Sequence, residues 1–297
     1  MIETRTEELN YLEVNNTLVY GIKKYCDINN IKTLVLGISG GIDSTVVAAL
    51  AKQTGIPLIG VSMPCSTNKK CENDTASLVG KEFCTEFKVC NLQDAASTVI
   101  DFCNGIGECD NPIPQGNIKA RLRMITLYDI AWKNNGIVLD TDNLTEHHLG
   151  FWTIHGDDGD FNPIGSLWKH EIYGLAKWLK ENRFQDSEAL TASIELMPTD
   201  GNGVSNSDLD QIAPNKTYDD VDEILQAWVG LDTRIKDSVL HGNIHGSVFE
   251  KLCEKHGTDI VNGIIQRSWN SEYKRKARPF IIDIFNGNIL DKNQNFA

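Results

Sequence analysis

The chain has 297 residues, a formal net charge of −13 and 41% apolar residues. That length and apolar content suit one large α/β unit with a buried core; no run of about 18 apolar residues exists, the length needed to span a bilayer. So acidic a surface repels phosphate backbones and disfavours a nucleic-acid partner. The opening Met1-Ile-Glu-Thr-Arg-Thr lacks the basic and apolar segments of a secretory signal, so the expected setting is the cytoplasm, with no membrane. Eight cysteines form no Cys-x-x-Cys and have no histidine at zinc-finger spacing, and reduced thiols are expected.

Residues 7–26 read as an opening helix, with Leu9, Leu12, Leu18, Val19 and Ile22 on roughly one side. Thr33 to Ser39 is an apolar β-type run ending in Gly40-Gly41. Val46, Val47, Leu50 and Ala51 then recur at helical spacing until Gly55 and Pro57 stop the helix. Leu58–Met63 reads as a second strand, 71–85 as a polar helix and Phe87–Leu92 as a third strand. Residues 104–116, rich in Gly, Asn and Pro, read as a loop, and a helix carrying Ile118, Leu122 and Ile125 follows from Gln115.

Gly136–Thr141 is a fourth strand, and Trp168, Ile172, Leu175, Ala176 and Leu179 mark an amphipathic helix. Strands alternating with helices predict an α/β fold, a doubly wound parallel sheet covered on both faces. After about residue 185 the character changes. Residues 198–217 read as a surface loop, and Val221, Ile224, Leu225 and Trp228 as one more helix, opened by Tyr218-Asp219-Asp220. The segment 271–278 is locally basic. The loop at 198–217 and this tail are expected to be mobile and to close over bound substrates.

A strand that runs into Ser39-Gly-Gly-Ile-Asp-Ser44 and then a helix makes a phosphate cradle. Glycines let backbone N–H groups approach an anion, and the helix N-terminus adds partial positive charge. Asp43 beside a phosphate makes sense only with a cation between them. No Gly-x4-Gly-Lys-Ser/Thr is present, so this is not a Walker-type loop.

Ser39-Gly-Gly-x-Asp-Ser44 resembles the signature of the N-type ATP pyrophosphatases. Further motifs follow in order and resemble those of the NAD synthetases: Asn117-Ile-Lys-Ala-Arg121-Leu-Arg-Met124, Thr141 to Glu146, Gly156-Asp157 to Asp160 with Pro163 to Lys169, Tyr218-Asp-Asp-Val-Asp222, and Tyr273-Lys274-Arg275. The likeness runs from about residue 5 to 280. It implies a Rossmann-like fold of the adenine nucleotide alpha hydrolase type. Also implied are one synthetase domain over 1–297, a core of about 33–185, C-terminal helical and lid segments over about 186–297, and no glutaminase domain.

The implied roles fall on matching residues. Gly37, Ser39, Gly40, Gly41, Asp43 and Ser44 would hold ATP with Thr141 and Lys169, and Ser193 would stand near it in the loose counterpart of a Thr-Ala-Asp stretch. Asp43, Glu146 and Lys169 would be catalytic, with Asp43 and Glu146 ligating magnesium. Arg121, Asp160 and Lys274 would bind deamido-NAD. Departures from the family pattern include Ile154 where many relatives have lysine, Asp140 where they have glycine, Tyr273-Lys274 for a His-Lys pair, and a Gly-Asp loop about one residue shorter, which makes Asp157 a closer match than Asp160.

The resemblance implies amidation of deamido-NAD by free ammonia at the expense of ATP, in a homodimer, by a ligase forming a carbon–nitrogen bond. Ammonia rather than glutamine is expected because Thr33 opens the first strand, leaving no room before it for an amidase domain. The rival readings are another N-type ATP pyrophosphatase, GMP synthetase-like or tRNA-modifying, or a non-catalytic nucleotide sensor on the same fold. The net charge and the lack of Cys-x-x-Cys argue against a tRNA thiolase, and joint retention of Asp43, Glu146 and Lys169 argues against a sensor.

Overall fold

The apolar run from Thr33 becomes a central strand, and its neighbours fix the topology. A computed structural model describes residues 9–107, 111–199, 209–242 and 248–276, with backbone segments at 281–282 and 289–290. Helix α1 (Tyr11–Ile28), capped by the Asn10 side chain, precedes β1 (Thr33–Gly37) and α2 (Ile42–Thr54). Next come β2 (Leu58–Ser62), α3 (Lys70–Phe83), β3 (Glu86–Val89), α4 (Gln93–Asn104) and α5 (Pro112–Lys133). Strand β4 (Gly136–Leu139) leads to α6 (Leu144–Leu149) and α7 (Lys169–Asn182).

The four strands are parallel in the order β3-β2-β1-β4, with Val35 level with Ile59 on one side and Val138 on the other. Winding reverses between β1 and β4. The crevice at the carboxyl ends of strands beside such a reversal is where this class of sheet takes ligands.

Alternation along β1 distributes its side chains between two layers. Leu34 and Leu36 join a core with Ile22, Val46, Leu50, Phe83 and Leu175 from α1, α2, α3 and α7. Val35 points the other way, into a smaller core with Ala96 of α4 and Ala131 of α5. The sheet is therefore covered on both faces, as the alternating pattern predicts.

The C-terminal part is helical: α8 (Glu188–Glu195), a 3-10 turn at Leu209–Gln211, α9 (Tyr218–Val229), α10 (Thr233–Leu240), α11 (Val248–His256), α12 (Thr258–Asn270) and α13 (Glu272–Arg275). Two short antiparallel strands, β5 (Ile281–Ile282) and β6 (Ile289–Leu290), follow. Val221, Leu225, Trp228, Phe249 and Ile264 build a second core around Leu144, Leu149 and Trp168. Short α6 and the start of α7 thus lie between the sheet and the C-terminal helices. No helix among the described residues is long and apolar enough to cross a membrane.

Several sequence expectations shift. Helix α4 is not among the expected elements, although Ala96, Val99, Ile100 and Cys103 recur at helical spacing; Ala96 is its one buried residue, and Ile100 packs part-buried against the smaller core. The loop expected over 104–116 is shorter, since α5 starts at Pro112 with Asn111 Oδ1 accepting from Ile113 N at 2.9 Å. Both prolines fall in the first turn, where backbone N–H groups have no helical partner anyway. Of the loop expected over 198–217, residues 200–208 lie outside the described residues.

Helix α3 lies flush on β3. A Cβ on Gly80 would come within 2.2 Å of the Phe87 ring. Alanine gains up to about 1 kcal/mol in helix propensity, but overpacking typically costs about 1–3 kcal/mol. Gly80→Ala is expected to lower the urea midpoint, and adding Phe87→Val is expected to recover part of the loss.

Candidate active site

The turn after β1 is shaped by one obligatory glycine. Gly40 has φ +88°, and a Cβ there would stand 2.2 Å from the Glu72 carbonyl oxygen. Gly41 caps α2 without a side chain, so the helix start has no side-chain acceptor on its N–H groups. The hydroxyls gather around it: Ser39 Oγ accepts from Gly41 N at 3.1 Å and lies 3.1 Å from Ser44 Oγ, and Ser44 Oγ donates to Gly41 O at 3.1 Å. An uncapped helix N-terminus ringed by hydroxyls is an anion site.

Asp43, in the first turn of the same helix, and Glu146 of α6 form an acidic pair with one cation between. Lys169 Nζ lies 2.5 Å from Asp43 Oδ2 and 2.9 Å from Glu146 Oε1. Asn143 locks the arrangement: its Oδ1 accepts from Glu146 N at 3.0 Å, its N donates to Glu146 Oε2 at 3.3 Å, and its Nδ2 donates to Asp43 Oδ1 at 2.9 Å. The capping box of α6 is therefore also the bond that ties α6 to α2.

Lys169 is 2% exposed. Burial works against its charge, but the carboxylates of Asp43 and Glu146, with Tyr218, outweigh it and hold its pKa well above the usual lysine value. Burial pushes the Glu146 carboxyl up to about 7, Lys169 opposing and Asp43 adding to the shift. Nearby, burial raises Asp142 well above the ordinary carboxylate range and Asp140 to about 6. The crevice thus concentrates negative charge beside an anion-binding turn, an arrangement that a cation would relieve.

A cavity of about 530 Å³ opens here, and Gly37, Ser39, Gly41, Asp43, Ser44, Thr141, Glu146, Lys169 and Lys274 all line it. Gly40 shapes the turn beneath. The remaining sequence-predicted residues stand elsewhere. Ser193 is buried in α8, where its hydroxyl donates to Leu190 O at 3.1 Å. Asp160 Oδ2 accepts from Val138 N at 2.8 Å, a bond that holds the end of β4. Arg121 lies on the exposed side of α5, its Nη2 donating to Ile154 O at 3.1 Å.

Other residues of the cavity wall are assigned no role by the sequence, although Asn117, Arg123 and Asp157 fall inside its motifs. Asn117, Arg123, Trp152, Asp157 and Asp158 line it, and Arg123 Nε donates to Met63 O at 3.4 Å. The motif spacing favoured Arg121, yet Gly116, Arg123 and Leu127 share the inner face at seven- and eleven-residue offsets. Among the described residues, buried Trp152 Nε1 meets no hydrogen-bond acceptor.

The basic tail closes the far end of α6. Lys274 Nζ donates to Gly150 O and Trp152 O, each at 2.6 Å, Arg275 Nη1 to His148 O at 2.9 Å, and Arg267 Nε to Leu149 O at 3.0 Å. His148 O, Leu149 O and Gly150 O stand at the C-terminal end of α6, where the helix dipole favours cations.

An anion-binding turn after the first parallel strand, faced by a carboxylate pair, defines a nucleotide-binding α/β enzyme of the adenine nucleotide alpha hydrolase type. The family model described as NAD synthase matches residues 14–277, and the chain belongs to that family of ligases. It is similar to the NH(3)-dependent NAD(+) synthetase of Wolinella succinogenes, at 31% identity over 89% of this chain and 93% of that one. Its counterpart from Mycoplasma genitalium is 37% identical over 69% of this chain and 83% of its own.

Among solved structures, the NMN synthetase of Francisella tularensis superposes with a TM-score of 0.71 at 25% identity, covering 92% of this chain and 98% of that one. The NH3-dependent NAD synthetase of Campylobacter jejuni, in complex with nitrate, gives a TM-score of 0.68 at 27% identity, covering 93% and 100%.

Removing the buried cation leaves two carboxylates uncompensated. Lys169→Met is expected to cost roughly 3–5 kcal/mol of unfolding free energy without ligands, as breaking a buried pair does. Adding Asp43→Asn and Glu146→Gln to it should restore most of that loss in urea titrations, because the penalty lies in the unpaired charges.

Proposed function

We propose that this synthetase amidates deamido-NAD with free ammonia, consuming ATP and releasing AMP and pyrophosphate. The observation that carries the reading is the convergence of Asp43, Glu146 and Lys169 on one point facing the uncapped start of α2. In this reading the Ser39–Ser44 turn receives the triphosphate on backbone N–H groups and hydroxyls. Lys169, a point charge on a flexible stem, moves from carboxylates to phosphates and follows the leaving pyrophosphate. The nicotinate carboxylate oxygen attacks the α-phosphorus, and the bond from that phosphorus to pyrophosphate breaks. Ammonia then attacks the acyl carbon, loses a proton and expels AMP.

No protein nucleophile enters, so the chain contributes positioning and charge neutralisation. Arg123, Trp152, Asp157 and Asp158, on the cavity wall, are the groups available to the dinucleotide.

Asp43 and Glu146 suit magnesium: both present oxygen to the point that Lys169 Nζ occupies, and this ion takes one or two carboxylates beside substrate phosphates. Among the described residues no set of three His, Cys, Asp or Glu forms a complete protein cage, which fits an ion completed by ATP. When bound there, magnesium would neutralise the charge that builds on the phosphates.

Residues 1–297 are read as one synthetase domain acting in the cytoplasm. A homodimer is supported by exposed apolar residues on α4, the turn after it and α5: Phe102, Ile106, Ile125 and Trp132, the last exposed by 87%. Arg121 falls on the same stripe as Ile125, Tyr128 and Trp132, so its contact with deamido-NAD would be made where two copies meet. Trp132→Glu is expected to shift sedimentation toward the monomer. The likeness to the Francisella tularensis protein supplies the comparison substrate: nicotinate mononucleotide is expected to have less than about a tenth of the kcat/KM of deamido-NAD, or about 1.4 kcal/mol of discrimination.

Asp43→Asn and Glu146→Gln keep shape and remove one charge each. Each should slow pyrophosphate release at least about a hundredfold, ~2.7 kcal/mol of barrier. Calorimetric binding of deamido-NAD should stay near wild type. The double variant should lose little more than the worse single one, since both disable the same ion.

A further inference from the structure

Tyr218 and Asp222 lie one turn apart on α9, outside the phosphate-binding apparatus, yet both reach the residues that compose it. The Tyr218 ring centre is 5.4 Å from Lys169 Nζ. Asp222 is completely buried. Its Oδ1 accepts from the Thr145 hydroxyl at 2.5 Å, and its Oδ2 accepts from His170 N at 2.9 Å and lies 2.8 Å from His170 Nδ1. Thr145 Oγ1 accepts in turn from Lys169 N at 2.8 Å.

Thr145 immediately precedes Glu146, and Lys169 and His170 are the first two residues of α7. One carboxylate from the C-terminal helices therefore fixes the starts of both helices that supply the Lys169–Glu146 pair. The rest of that face of α9 is apolar: Val221, Ile224, Leu225 and Trp228. Burying a charge amid such residues is unfavourable unless every acceptor position is used, and here donors converge on both oxygens. Packing alone would be served as well by an apolar side chain. What an apolar residue could not do is orient Thr145 and the α7 backbone at once.

We propose that Asp222 is a positioning residue for adenylation, acting through Thr145 and the backbone of His170 to set the Lys169 ammonium against Glu146 and Asp43. The proposal deepens the amidation reading and rests on it. Its chemistry is geometric: the ammonium must reach carboxylates before ATP arrives and phosphates afterward, and a small displacement of its backbone misplaces both.

Two variants test it. Asp222→Asn keeps size but turns an NH2 group toward a donor, and Thr145→Val keeps volume but deletes the hydroxyl. Both should lower kcat for pyrophosphate release ten- to a hundredfold, leave the KM for deamido-NAD within about twofold, and weaken calorimetric MgATP binding at least fivefold. Thr145→Ser, which restores the hydroxyl, should return kcat to within about threefold of wild type. The Asp222→Asn/Thr145→Val pair should cost little more than the worse single change.

Folded variants with kcat within threefold of wild type would overturn the proposal, as would a Thr145→Val loss that serine does not restore. If Asp222→Asn does not fold, the Thr145 pair decides alone. Should wild type bind MgATP but not turn over deamido-NAD, the amidation reading fails, while weakened MgATP binding by the variants still reports positioning.

Discussion

The Lys169 ammonium, shared between Asp43 and Glu146, is the interaction on which the rest of the site depends. A cation with 2% of its surface exposed is tolerated only where opposite charge surrounds it. The three partners come from three helices, the consecutive α6 and α7 and the distant α2. The parallel sheet delivers α2 from β1, and the reversal of winding beside β4 leaves the crevice into which α6 and α7 run. Charge compensation then draws the helix starts together, and Asn143 fastens α6 to α2.

Around that contact the molecule is organised as two apolar bodies with a polar seam. The sheet core ends at Leu139 and Ile164, the helical core takes Leu144, Leu149 and Trp168, and the titratable groups of the crevice fall between. This division explains why so many carboxylates there have raised pKa values: the walls on both sides are dry. It also explains why Asp222, on the helical side, can reach the groups placed by the sheet.

Much of the fold was legible because it is local. Three of the four strands are short apolar runs, β3 (Glu86–Val89) being half charged, and Ser39–Ser44 is a compact pattern whose meaning depends on the strand and helix that flank it. Helix α4 was passed over although Ala96, Val99, Ile100 and Cys103 stand at helical spacing, a stripe of small and part-buried side chains that covers little of the core. The site divides in the same way. Asp43, Glu146 and Lys169 were found by ordered motifs, and the convergence of Asp43 on the other two, more than 100 residues on, could not be seen in any window. Arg121 and Arg123 lie on different faces of α5, a distinction that only the position of the sheet decides. Asp160 and Ser193 occur in motif order, but their side chains satisfy backbone groups of β4 and α8.

Helix α6 is six residues long and far too short to persist alone. Asn143 secures its beginning, whereas Arg267, Lys274 and Arg275 gather the carbonyls at its end. During synthesis, those three cations leave the ribosome long after Glu146. A nascent chain that has just completed α7 already holds the sheet, the phosphate turn and the Asn143 and Lys169 contacts to Glu146, but not the cations that gather the carbonyls at the end of α6.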